Sequence, residues 1–141
     1  MDFDLLDDIL ELGPDRVVAV KHVRPDEPCF RDHFPTFPIL PGVLMLETMV
    51  QAARRLIARD HPGRFVLGGV RAVKYGAMVK PGMTLRVEIT QTGTGPEHAF
   101  KGKGLALGAG TDPADAPTAV SGRFTLRPVR VCAPRACPGA A

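Results

Sequence analysis

His33 and Glu47, fourteen residues apart, are the side chains in this sequence whose types and spacing best suit chemistry. A neutral imidazole accepts a proton readily near pH 7. A carboxyl group enclosed by apolar side chains holds its proton more tightly than in water and can serve as an acid. Glu47 stands among Val43, Leu44, Met45, Leu46, Met49 and Val50, where an ionised carboxylate is costly without compensation. Between the two residues lie Pro35, Pro38 and Pro41, followed by Gly42. A helix beginning at Gly42 presents the unpaired N–H groups of Gly42 and Val43 and the positive end of its dipole, which suit a carbonyl oxygen gaining negative charge. Gln51, one turn after Glu47, is within hydrogen-bonding reach of it. Singly, such a Glu more often pairs with a base and such a His more often packs a loop. Together they suggest proton removal beside a carbonyl, with an acid at hand.

These groups need a rigid loop, a helix and a sheet. Five prolines occupy "RPDEPCFRDHFPTFPILPG" (24–42), so that stretch is neither helix interior nor central strand and must be a loop held by packing. Residues 42–59 lack proline, and their apolar side chains cover nearly every face of the first turns, which predicts a buried helix. Arg54, Arg55 and Arg59 gather near its C-terminal end, where cations complement the dipole, and "DHPG" (60–63) ends it. Strand patterns run over 16–23, 64–75, 83–92, 97–107 and 119–131, separated downstream of the helix by "KPG", "GTGP" and "GTDPADAP". The acidic start (1–15) is taken as a loop. One buried helix and successive strands joined by short turns imply an α+β fold, a curved antiparallel sheet around a central helix. We expect a single domain over 1–131 and a flexible tail over 132–141.

The stretch "HFPTFPILPGVLMLETMVQAA" resembles the signature of the β-hydroxyacyl-acyl carrier protein dehydratases, which adopt the hotdog fold. His33, Phe34, Pro35, Pro38, Pro41, Gly42, Glu47 and Gln51 each fall in register with that pattern. The residue before the histidine, usually glycine there, is Asp32 here. The resemblance implies reversible dehydration of (3R)-hydroxyacyl thioesters to trans-2-enoyl thioesters in fatty acid or related lipid synthesis. His33 would act as base and Glu47 as acid or as orienter of the leaving hydroxyl. Gly42 N–H would polarise the carbonyl, its missing side chain leaving the backbone open to substrate. It further implies a homodimer, often a trimer of dimers (a homohexamer), in which His33 and Glu47 of one site come from different subunits. Neither cofactor nor metal is called for. Alternatives are a hotdog thioesterase using Glu47 to activate water, and a non-catalytic acyl-binding or partner subunit.

Charge bears on the partner. Six of the fifteen acids lie in residues 1–15, which hold no Lys or Arg, so the remainder carries eighteen basic and nine acidic side chains, a balance of +9. An acyl carrier protein bearing a phosphopantetheine thioester is the acidic partner the resemblance implies, with Arg54, Arg55, Arg59, Lys101 and Lys103 as weak candidates for contact. One tyrosine, no tryptophan and no basic run interleaved with aromatics speak against nucleic acid. No apolar run spans a bilayer, the start lacks a basic n-region, and Cys29, Cys132 and Cys137 are odd in number, so we expect a cytoplasmic protein with reduced thiols. "KGKGLALGAG" lacks dinucleotide-binding spacing. His22, His61 and His98 are assigned no chemistry, and Tyr75 is read as packing.

Overall fold

A computed structural model describes residues 5–26, 39–61, 63–95 and 97–129. The elements in chain order are β1 (Asp8–Leu12), β2 (Arg16–His22), α1 (Gly42–Ile57), β3 (Phe65–Tyr75), β4 (Thr84–Gly93), β5 (His98–Leu107) and β6 (Thr118–Pro128). The six strands form one antiparallel sheet in the order β1-β2-β4-β5-β6-β3, with α1 packed on one face. This is the hotdog arrangement. His33, Asp32, Cys29, Pro28, Pro35 and Pro38 lie outside the described residues, as does the expected tail over 132–141 with Cys132 and Cys137.

Alternation along the strands decides which face meets the helix. Val17 and Ala19 of β2, Leu85, Val87 and Ile89 of β4, Phe100 of β5 and Phe124 and Leu126 of β6 point inward and are buried. From the helix, Met45, Met49, Ala52, Ala53 and Leu56 enter the same core. The fully buried Met49 contributes about 2 kcal/mol by leaving water. Its approach to the sheet requires a gap in β5. A Cβ at Gly102 would lie 2.6 Å from Ile89 Cδ1 and 3.0 Å from Met49 Sδ, so glycine there admits the helix.

Three departures from the sequence reading have local causes. The helix ends at Ile57 instead of residue 59, because the Asp60 and His61 N–H groups both turn back to Ile57 O. The acidic start is not all loop: residues 8–12 pair with β2 as an edge strand, although only Ile9 points toward the core. That strand rests on main-chain pairing and on Asp7, whose carboxylate accepts from His22 N at 2.6 Å and pairs with Arg24 at 3.2 Å. Partial burial opposes ionisation of Asp7, but those partners outweigh it and hold its carboxyl below the usual range. Finally, β6 ends at Pro128, short of residue 131.

β3 carries an irregularity that matters for the site. Arg71 lies opposite Arg123 and Lys74 opposite Ser121, so two residues on β3 face one on β6. Ala72 occupies the bulge with φ of 55°, a left-handed conformation that costs a non-glycine residue about 1–2 kcal/mol. Glycine would relieve that strain while adding about 0.5–1 kcal/mol of unfolded-state entropy. Ala72→Gly is therefore expected to stabilise the fold by about 0.5–1 kcal/mol. Urea unfolding checks this as a raised midpoint with an unchanged slope.

Candidate active site

Pro41 caps α1 in extended conformation (φ −61°, ψ 144°) and offers no side-chain hydrogen bond to the first amides. Its carbonyl takes the N–H groups of Leu44 and Met45, at 3.0 and 3.2 Å. The amides of Gly42 and Val43 precede these and have no partner within the helix. No acidic residue occupies the first turn, so the positive end of the dipole is not neutralised there. Leu40 N donates to Val79 O at 2.8 Å, which fastens the approach to this terminus onto the segment before β4.

Gly42 is required by a neighbour the sequence did not disclose. A Cβ on it would lie 2.7 Å from Cε1 of Tyr75, whose ring covers the first residue of the helix. Tyr75 ends β3 beyond the Ala72 bulge, opposite the inward-facing Val120. It packs against the helix start yet remains about half exposed.

From Val43 the helix presents a stripe that its own sheet does not cover: Val43, Glu47, Gln51, Arg54 and Ala58. Val43 is 71% exposed. Glu47 faces outward on this stripe with its side chain one-third exposed, so the described residues do not supply the apolar enclosure inferred from its sequence neighbours. Spacing places Met45, Met49 and Val50 on the opposite, buried faces.

The carboxylate is held on one side. Gln51 Nε2 donates to Glu47 Oε1 at 3.3 Å, and Arg54 Nη1 lies 3.6 Å from the same oxygen. Among the described residues nothing donates to Oε2. Gln51 is itself fixed, its Oε1 accepting Leu5 N at 2.7 Å. Arg54 is fixed by donating from Nε to Phe65 O at 3.0 Å.

The five cations singled out in the sequence do not form one surface. Arg54 and Arg55 lie in the last turn of α1, and Arg59, just after it, donates to Gly13 O. Lys101 and Lys103 lie on the far face of the sheet, bordering a cavity of about 930 Å³ with Arg16, Lys74, Glu88 and Arg123. Pairing register puts Arg71, Arg123 and Lys101 directly opposite one another across three strands, which like charges disfavour. Glu88 answers only part of this charge, through Arg86 (3.1 Å), Arg16 (3.4 Å) and Lys103 (3.8 Å). The rim of the cavity at Tyr75, Gly76 and Thr118 reaches the ring that covers Gly42. Strand alternation signals the outward lysines, but only the register discloses the cluster.

The other histidines stand apart from the helix stripe. His22 Nδ1 meets Thr84 Oγ1 at 2.9 Å. His98 lies against His61 and Phe65 and contacts Gln91 at 3.1 Å, and burial, then the charge of His61, lowers its pKa. No three His, Cys, Asp or Glu among the described residues are placed to hold a metal ion. No helix among them is long and apolar enough to cross a membrane.

Comparison with known proteins adds to this geometry. Residues 11–106 match the ApeI-like family, described as ApeI dehydratase. A 3-hydroxyacyl-acyl-carrier-protein dehydratase FabZ of Ruminiclostridium cellulolyticum is 45% identical over 93 residues, covering 62% of this chain and 66% of that protein. The corresponding protein of Solibacter usitatus is 41% identical, covering 62% of this chain and 56% of its own. The chain thus spans less than two thirds of the length of these curated relatives. Among solved structures, the dehydratase heterocomplex ApeI:P of Xenorhabdus doucetiae superposes with a TM-score of 0.65 at 23% identity, covering 90% of this chain and 99% of that one. That likeness concerns the fold.

Proposed function

Because the chain belongs to the ApeI-like family of dehydratases, we propose that it reversibly removes water from (3R)-hydroxyacyl thioesters carried by acyl carrier protein, giving trans-2-enoyl thioesters. The observation that carries this reading is one uncovered helix stripe that joins an uncapped N-terminus to a carboxylate with one oxygen unused. The thioester oxygen lies at the Gly42 and Val43 amides, where charge builds as the C2 proton leaves. His33, assigned from its place in the motif, takes that proton. The C2–H electrons form the C2=C3 bond, and the C3–O bond breaks. The hydroxyl departs as water after receiving a proton, with Glu47 Oε2 supplying it or orienting the group that does. Gln51 and Arg54 keep the carboxylate turned toward the stripe.

The reading needs a second copy. β3 ends the sheet, with β6 as its one strand neighbour among the described residues, and its helix-side residues Leu67, Val70 and Tyr75 remain 36, 39 and 53% exposed. Together with Val43 they form an apolar surface suited to a homodimer, which would also enclose Glu47 and bring His33 of one copy to Glu47 of the other. The cationic cavity on the far face suits an acidic carrier protein, and its rim at Tyr75 leads the carrier arm toward Gly42.

Thioester hydrolysis is the second reading, because both interactions of Glu47 are ones a carboxylate accepts, which also suits a base for water. One assay separates the two. Dehydratase activity predicts loss of enoyl absorbance when crotonyl thioester is hydrated, without release of free thiol. Thiol release without hydration decides for hydrolysis. The joint variant Lys101→Glu with Arg123→Glu is expected to raise KM for carrier-borne crotonyl about tenfold at low salt, an effect that fades with added salt. It leaves the N-acetylcysteamine thioester unaffected, and an unchanged carrier KM sinks the docking face alone.

A further inference from the structure

The stripe that carries Glu47 continues to Arg54 and Ala58, where a second cavity of about 440 Å³ opens between the end of α1 and the start of β3. Ala58, Phe65, Val66 and Val129 give it apolar walls, and Gly63 with the cations Arg54 and Arg64 completes its lining. Arg54 stands between this cavity and the carboxylate. Its Nη1 is 3.6 Å from Glu47 Oε1 while its Nε donates to Phe65 O at 3.0 Å, so the guanidinium spans the crevice from helix to edge strand.

We infer that Arg54 sets the acyl chain length the site accepts, as a charged end wall between Glu47 and the apolar cavity beyond. The inference rests on the dehydratase reading above. With the thioester oxygen at Gly42 and Val43 and the C3 hydroxyl at Glu47, the substrate runs from C1 to C3 toward the C-terminal end of α1. Carbons beyond C3 therefore head for Arg54. A methylene gains by leaving water for an apolar wall, but against a guanidinium it gains little and strips water from a charge. Pushing the guanidinium aside breaks its bond to Phe65 O as well as its pairing with Glu47, leaving a main-chain carbonyl unsatisfied. Short chains fit before the wall. Each further methylene denied burial forfeits about fourfold in kcat/KM.

The test compares wild type, Arg54→Ala and Arg54→Lys on four-, six- and ten-carbon enoyl thioesters of N-acetylcysteamine. Wild-type kcat/KM is expected to fall from four carbons to ten. Arg54→Ala raises the ten-to-four-carbon ratio by about tenfold or more, since it joins the apolar cavity to the site. Arg54→Lys retains a ratio near wild type. Any loosening of Glu47 lowers kcat for all chains alike and leaves that ratio unmoved, so the ratio reads the wall and not a general disturbance. An Arg54→Ala ratio equal to that of wild type overturns the inference. A wild type that hydrates no enoyl thioester overturns the dehydratase reading instead. In that case calorimetric binding of saturated four- and ten-carbon thioether analogues still reads the wall: the ten-carbon analogue binds Arg54→Ala about tenfold more tightly than wild type, and equal affinities overturn it.

Discussion

Replacing Glu47 by Gln is expected to lower kcat for crotonyl thioester hydration by about 10²–10⁴-fold, the usual contribution of a positioned acid or base. The amide keeps nearly the shape of the carboxyl group, and its oxygen can still accept from Gln51 and face Arg54. The capacity to give up and take back a proton is what it loses. Stability should hardly change, because the Glu47–Arg54 pair is partly exposed and such pairs contribute about 0–1 kcal/mol. A large rate loss with a preserved melting temperature is thus the signature of chemistry rather than of packing. His33→Ala should bring a loss of similar size. Wild-type rates in both variants would remove the two residues from the reaction.

How far that site can be read from residue order differs from element to element. The helix is legible because proline and glycine mark its start and apolar residues fill its first turns. β2 and the four later strands are legible from their β-branched, alternating stretches between turn residues. β1 is not, since most of its side chains face solvent and pairing with β2 makes it a strand. Tyr75 over Gly42 depends on the one-residue slip at Ala72, which no periodicity announces. Arg54 illustrates a different limit. It lies two turns beyond Glu47, which puts the two on one face, but only the position of Phe65 on β3 decides that the guanidinium folds back rather than reaching into water. The same density of apolar residues that marks the helix also overstated its burial. Val43 is apolar and exposed, a combination that makes sense when another surface is to cover it.

Val70→Asp tests that covering surface, and its expected effect is as large as that of the catalytic variants. Val70 lies opposite Phe124 on the helix side of β3 and is 39% exposed in the isolated chain, so an aspartate there is tolerated by the fold of one copy. In a two-fold dimer the change occurs twice, and each buried carboxylate without a partner costs roughly 3–5 kcal/mol. Sedimentation should therefore report a monomer with unchanged far-ultraviolet circular dichroism. Hydration should fall by about 10²-fold or more, because neither copy then holds a complete base and acid. A fully active monomer would contradict the shared site. Mixing supplies an independent reading of the same geometry. After subunit exchange between His33→Ala and Glu47→Gln, half of the dimers are mixed, and each mixed dimer contains one site with both native residues. About a quarter of wild-type activity should return from two nearly inactive preparations. If histidine and glutamate instead met within one chain, every site in the mixture would lack one of them, and exchange would restore nothing.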